Sequence, residues 1–212
     1  MARRTQVERS NETMSALIEA GQRLFGRDGY AATSIEAVAA AANVTKGAAY
    51  HHFGGKIGLF RAVFVHQEIE LAAALVRARA SANDSWSALR GGCRAFLENC
   101  LDQNVRQILL LDGPSVLGWD TVREIEDQHT LKLLRERLQA AVADGWIPAD
   151  ELGIRYRLLF SALCEAGMLL ARAEDLEAAL AATAEEVDNL LFAVTRYPAA
   201  SAPVQAEVAE GG

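Results

Sequence analysis

Proline is scarce in this chain, with four in 212 residues, and so are aromatics at 7% and cysteines at three. The prolines stand at positions 114, 148, 198 and 203, where they separate periodic stretches instead of interrupting them. β-branched runs of alternating polarity are also missing, which argues against sheet structure. No apolar run approaches the roughly 18 residues of a membrane span. The opening Met1-Ala2-Arg3-Arg4-Thr5-Gln6 is basic but leads into polar sequence, so neither a signal peptide nor a membrane partner is expected. Cys93 and Cys100 stand seven apart in a helical pattern, about 10 Å by helical rise, too far for a disulfide. Reduced core thiols in a cytoplasmic protein are expected, with redox sensing the minor alternative.

What the chain has is alanine and leucine, both strong helix formers, and a hydrophobic content of 51%. An all-α fold follows. Net charge is −7, unevenly spread. Through Gly58 seven Lys and Arg face five Asp and Glu, whereas the remainder carries 14 basic and 23 acidic residues. A slightly basic N-terminal unit on an acidic body is compatible with a small nucleic-acid module joined to a larger partner domain.

A first helix is predicted from Ser10 or Asn11, with Met14, Leu17, Ile18, Gly21, Leu24 and Phe25 on one stripe. Gly29 suits a left-handed residue at its end, and Tyr30 the apolar contact that follows such a cap. Thr33 and Glu36 have capping-box spacing for a second helix, whose apolar face is Ile35, Val38 and Ala39. Asn43 tolerates the left-handed turn that must follow. Thr45 caps a short third helix, and Gly54-Gly55 ends it. A fourth helix runs from Ile57 to about Arg79. The later stretches 86–101, 105–111, 121–143, 150–171 and 175–196 are all periodic as helices, and from Pro198 a disordered tail is expected.

Two short helices joined by a tight turn and braced by a third match the helix-turn-helix plan, in which the second of the pair lies in the major groove. Thr45, Lys46 and the free amides of the third helix suit phosphate. Gly47 and Ala48 allow close backbone approach. Tyr50, His51 and His52 present hydrogen-bonding tips, and Lys56 extends the phosphate grip. The competing reading is that Tyr50, His51 and His52 are only the polar face of a packed helix.

The run Phe25-x-x-x-Gly29-Tyr30-x-x-Thr33-Ser34-Ile35-x-x-Val38-Ala39-x-x-Ala42-Asn43-Val44-Thr45-Lys46-Gly47-x-x-Tyr50-x-His52-Phe53-x-x-Lys56-x-x-Leu59 resembles the DNA-binding domain of the tetracycline-repressor (TetR) family of bacterial regulators. The resemblance implies a three-helix DNA-binding domain over 1–56, a helical ligand-binding and dimerisation domain over 57–197, and a tail over 198–212. It implies a regulator, commonly a repressor, that binds a palindromic double-stranded DNA operator as a homodimer and answers to a small-molecule effector. By position, the DNA contacts would be Thr45, Lys46, Gly47, Ala48, Tyr50, His51, His52 and Lys56, with Thr33 or Ser34 on a phosphate. Asn43 replaces the usual turn glycine, Ala49 a bulkier aliphatic residue, and Ala48 a residue often polar.

The last two long helices are the expected dimer interface, with Ala162, Ala166 and Gly167 permitting close approach and Leu190 alongside; ordinary core packing explains the small residues equally well. The pocket implied by the family would draw on Trp86, Phe96, Trp119, His129, Phe160 and Met168, each of a type that is more often plain core. No cofactor or metal is expected, and no catalytic residue. Gly113-Pro114-Ser115-Val116-Leu117-Gly118 fails the nucleophile-elbow spacing, and Glu126-x-x-His129 lacks the second pair a di-iron bundle requires. His66 and Glu70 read as a solvated helix pair. A helical adaptor would leave the chemistry between Thr45 and Lys56 unused.

Overall fold

A computed structural model describes residues 6–78, 83–149 and 152–196, and every regular element among them is helical. In chain order these are α1 (Gln6–Ala32), α2 (Ile35–Ala41), α3 (Lys46–Phe53), α4 (Lys56–Ala78), α5 (Ser85–Asn99), a π-wound segment (Val105–Asp112), α6 (Gly113–Leu117), α7 (Trp119–Glu126), α8 (Thr130–Ala143), α9 (Leu152–Ala171) and α10 (Leu176–Arg196). The tail from Pro198, the expected helix end at Arg79, and residues 150 and 151 lie outside the described residues.

The N-terminal unit forms around the predicted stripe of α1. Leu17, Ala20 and Phe25 are fully buried and meet Phe60 and Val63 of α4. The Phe25 and Phe60 rings pack edge to face at 5.2 Å, and Tyr30 adds a third ring 5.0 Å from Phe60. Gly29 has the expected positive φ of 79°, but its ψ of 166° is extended, and helical winding resumes to Ala32. The helix also starts earlier than Ser10, at Gln6.

The expected capping box at Thr33 is not formed. Ser34 is the N-cap of α2, its hydroxyl accepting from the Ala37 amide at 3.1 Å. Thr33 is buried one residue earlier, its hydroxyl directed at the Gly29 and Leu24 carbonyls at 2.9 and 3.2 Å. The kink at Gly29 frees those carbonyls, and Thr33 satisfies them. Asn43 turns left-handed as predicted, with φ 54°.

In the body α5 and α8 pack against α4, α9 packs on α5 and α8, and α10 packs on α5 and α9. The body's apolar interior, including Leu89, Leu97, Leu131, Leu138, Leu163 and Leu170, is continuous with that of the N-terminal unit. An ion pair between Arg90 and Asp188, at 3.0 and 2.5 Å, ties α5 to α10. The single helix expected over 121–143 is instead two, α7 and α8, broken at residues 127–129. Glu68 of α4 reaches Thr130, accepting from its hydroxyl at 2.7 Å and its amide at 3.5 Å, and so caps α8 from outside. His129, the residue before α8, contributes no capping side chain.

The π-wound segment links the two parts. The Asp112 carboxylate accepts from the Tyr30 amide at 2.7 Å and from Gln107 at 3.0 Å. Gly26 lets Asn104 pack directly against α1, since a β-carbon there would fall 1.8 Å from the Asn104 amide oxygen.

Candidate nucleic-acid interface

α3 is anchored by little and exposes much. Its one fully buried side chain is Ala49. Thr45 is the N-cap, accepting from the Ala48 amide at 3.2 Å, and Gly54 closes the helix with φ 72°. The Val44 amide donates to Ala39 across the turn at 2.9 Å, fixing α3 against α2. The side chains predicted for DNA then share one outer surface. Ser34, Thr45, Lys46, Gly47, Tyr50 and His51 are exposed, whereas Ala48, His52 and Lys56 are half-buried. Thr33 is the exception: burial and its internal hydrogen bonds remove it from that surface, and Ser34 stands there alone.

Gly47 is the most informative position. A β-carbon built there meets nothing within 4 Å, and its φ is not positive. Neither packing nor backbone conformation within the chain requires glycine, yet glycine costs a helix up to about 1 kcal/mol relative to alanine.

The two lysines differ in their surroundings. Lys46 pairs with Glu36 of α2 at 2.7 Å and lies 5.5 Å from the centre of the Tyr50 ring. The hydrogen bond between them holds the Glu36 carboxyl below its ordinary range and the Lys46 ammonium above its own. Both are exposed, so the pair contributes little to stability. Lys56 is more confined. Its ammonium sits 4.1 Å from the Tyr30 ring centre and donates to the Ala31 carbonyl at 3.4 Å, joining the start of α4 to the end of α1.

In the body, the expected pocket residues separate. Phe96 and Phe160 meet edge to face at 6.1 Å and line a small cavity with Cys93, Thr130 and Leu163. Trp86 is buried elsewhere, 5.4 Å from the Phe192 ring and stacked on Trp146. Trp119 corrects the expectation outright: it opens α7 with 65% of its surface exposed, because Gly118 at φ 80° turns the chain outward there. His129 and Met168 are half-buried. Burial, then Lys132, lowers the His129 imidazole from its ordinary value. Among the described residues no group of three or more His, Cys, Asp or Glu is arranged to hold a metal. Burial pushes the Cys93 and Cys100 thiols up to about 12, and both are free.

Two dimer candidates are likewise corrected. Ala166 and Gly167 face the chain's own interior, where a β-carbon at 167 would sit 2.8 Å from both Cys100 and Leu110. They serve the packing of α9 on the π-wound segment. The outward side of α9 carries Ile154, Leu158 and Leu169, with Leu158 67% exposed; Ala162 is half-buried and Leu190 exposed on α10.

Sequence reasoning missed Asp112 and Glu68 and read Glu36 and Glu126 in other roles. The spacing of Glu36 was visible, but its partner is Lys46 and not Thr33. The other three act through contacts more than sixty residues apart or through burial, which local periodicity does not report.

Comparison with known proteins agrees with this architecture. Residues 17–63 match the family model for bacterial regulatory proteins of the tetR family, and residues 86–194 match a tetracyclin repressor-like C-terminal domain. The transposon Tn10 TetC protein of Escherichia coli is 31% identical over 154 residues, 73% of this chain and 78% of its own length. The transcriptional regulator BetI of Burkholderia thailandensis is 31% identical over 82% of this chain and 91% of its own. A TetR-family regulator from Pectobacterium atrosepticum superposes with a TM-score of 0.76 at 31% identity, covering 92% of this chain and all of that one. With both its N-terminal and its C-terminal parts matched, the chain belongs to the TetR family of bacterial transcriptional regulators.

Proposed function

We propose that this regulator is a ligand-responsive repressor that binds a palindromic operator as a homodimer in the bacterial cytoplasm. The observation that carries the reading is the outer face of α2 and α3, where Ser34, Thr45, Lys46, Tyr50 and His51 surround a glycine that the chain itself does not need. Thr45, Lys46 and Ser34 hold phosphates, as does Lys56 from the edge; Gly47 and Ala48 let α3 enter the groove, and Tyr50, His51 and His52 meet base edges. In this division of labour residues 1–56 read DNA and 57–197 dimerise and bind the effector.

Dimerisation has a physical motive, because one short recognition helix binds weakly and two half-sites about 34–36 Å apart bind one face of the duplex. Ile154, Leu158 and Leu169 on α9, with Leu190 on α10, supply an apolar surface for a four-helix interface about a twofold axis. The effector acts by favouring a dimer conformation whose recognition helices no longer match the half-site spacing.

Footprinting of the DNA upstream of the protein's own gene tests the reading. A protected palindrome with half-sites one helical turn apart, released by a Leu158→Glu variant that runs as a monomer, is the expected result. Absence of any protected sequence at low salt contradicts it.

A further inference from the structure

Residues 29–67 hold a single carboxylate, Glu36, against the cations Lys46, Lys56 and Arg61. The segment has no other acid, and this one stands on the surface proposed to meet DNA. Glu36 is the second residue of α2, two after the exposed N-cap Ser34. Its Oε1 lies 2.7 Å from the Lys46 ammonium at the start of α3, and its side chain stays 45% exposed. Lys46 in turn lies 5.5 Å from the centre of the Tyr50 ring. The carboxylate thus sits at the seam between the two helices, among the side chains assigned to phosphates and to base edges.

A carboxylate there is unfavourable beside a polyanion, since like charges brought together at an interface are costly. An acid in the first turn also suits the α2 dipole, but that benefit does not require the side chain to reach across to α3. Nor does the pair with Lys46 account for it, because exposed pairs contribute little. The Lys46 hydrogen bond, then its own backbone amide and last the Tyr50 hydroxyl hold the carboxyl below its ordinary range, so it meets DNA ionised. An ionised carboxylate only accepts, and its lone-pair sites number about four. The Lys46 ammonium has hydrogens enough to keep Glu36 and take a phosphate, while the carboxylate accepts from a further donor. In the major groove cytosine is the base whose own edge offers a donor and no acceptor. Adenine sets N7 beside its amino group, and guanine and thymine present acceptors.

We propose that Glu36 is a specificity-determining residue of this regulator, accepting from the N4 amino group of a cytosine beside the bases met from α3 and repelling the duplex where that amino group is missing. The inference rests on the operator-binding reading above and adds a named base to it. Attraction at the right base and repulsion elsewhere act in the same direction, so one side chain adds discrimination without adding overall affinity. The pair with Lys46 fixes the carboxylate in place and sets the base contact next to a phosphate contact. In a homodimer the cytosine recurs once in each half-site.

Selection of randomised duplexes by the full chain tests this. Wild type is expected to yield a palindrome with a required cytosine at one position of each half-site. Glu36→Ala keeps the palindrome and relaxes that position alone, where the enrichment of cytosine falls at least about fivefold. Lys46→Ala, which leaves the carboxylate, weakens binding and keeps the cytosine. The proposal is overturned if Glu36→Ala selects the wild-type motif unchanged or loses selectivity at every position, or if Lys46→Ala loses the cytosine. Wild type selecting no motif at all overturns the operator-binding reading itself, so the two failures are distinct. Anisotropy at low salt supplies the second readout. Glu36→Gln is expected to bind a scrambled duplex of operator length at least about tenfold tighter than wild type does, a larger gain than on the selected palindrome. A gain no larger than on the palindrome overturns the proposed repulsion. Because the position is exposed, both Glu36 variants should keep their thermal midpoint within about 2 °C of wild type. A larger fall marks Glu36 as structural and counts against the proposal.

Discussion

The two ends of this molecule keep their polar chemistry in opposite places. In α2 and α3 it lies outside, on a short scaffold whose only fully buried α3 side chain is an alanine. In the body it lies inside, as acids pressed between α4, α7 and α9 with incomplete pairing. The first arrangement costs little stability and waits for an external polyanion. The second is costly. The contrast separates residues that change recognition without changing stability from residues that change both.

The sharpest break of that contrast is expected at Gly47. Because a side chain there meets nothing in the chain, Gly47→Leu should leave the thermal midpoint within about 2 °C of wild type, a surface-sized effect. Operator affinity should nevertheless fall by about a hundredfold or more, since the side chain takes the space needed for groove entry. Calorimetry alongside fluorescence anisotropy on operator DNA separates the two.

Glu68→Gln should do the reverse and alter stability first. Burial raises the Glu68 carboxyl from its ordinary value to about 7. A raised folded-state value means that its share of stability is complete below about pH 4.5 and is lost as pH climbs through 7. The variant should match wild type near pH 4 and exceed it at pH 8 by roughly 1–3 kcal/mol, or about 3–10 °C. Melting curves across that range check both the sign and the window.

A smaller effect belongs to Glu36. It holds Lys46 at 2.7 Å on the DNA-facing surface and adds a negative charge there. Glu36→Gln should tighten operator binding by about two- to fivefold at low salt, with no measurable change in stability, because exposed pairs contribute little. Anisotropy titrations at two salt concentrations are sufficient to see it.

Legibility in the sequence followed the same division. The helix-turn-helix could be read residue by residue because its determinants are local: Asn43 at the left-handed turn, Thr45 at the cap, Gly54 at the stop. Even its one error was a single position, Thr33 for Ser34, made because the kink at Gly29 offered Thr33 carbonyls that spacing could not reveal. In the body the periodicity of 121–143 was genuine, yet two helices form there, and Glu68 caps the second from sixty-two residues away. Trp119 had the composition of a pocket residue, but Gly118 turned it outward, and Gly167 had the look of an interface while packing on Cys100. Composition identifies what a residue can do; only the long-range contacts assign where it does it.

The central claim is that the exposed face of α3 grips the phosphates of operator DNA, and the salt dependence of binding in Lys46→Ala tests it most directly. Loss of one phosphate contact should weaken binding across sequences and reduce the slope of log affinity against log salt by about 0.9. An unchanged slope and affinity in the folded variant would contradict the account.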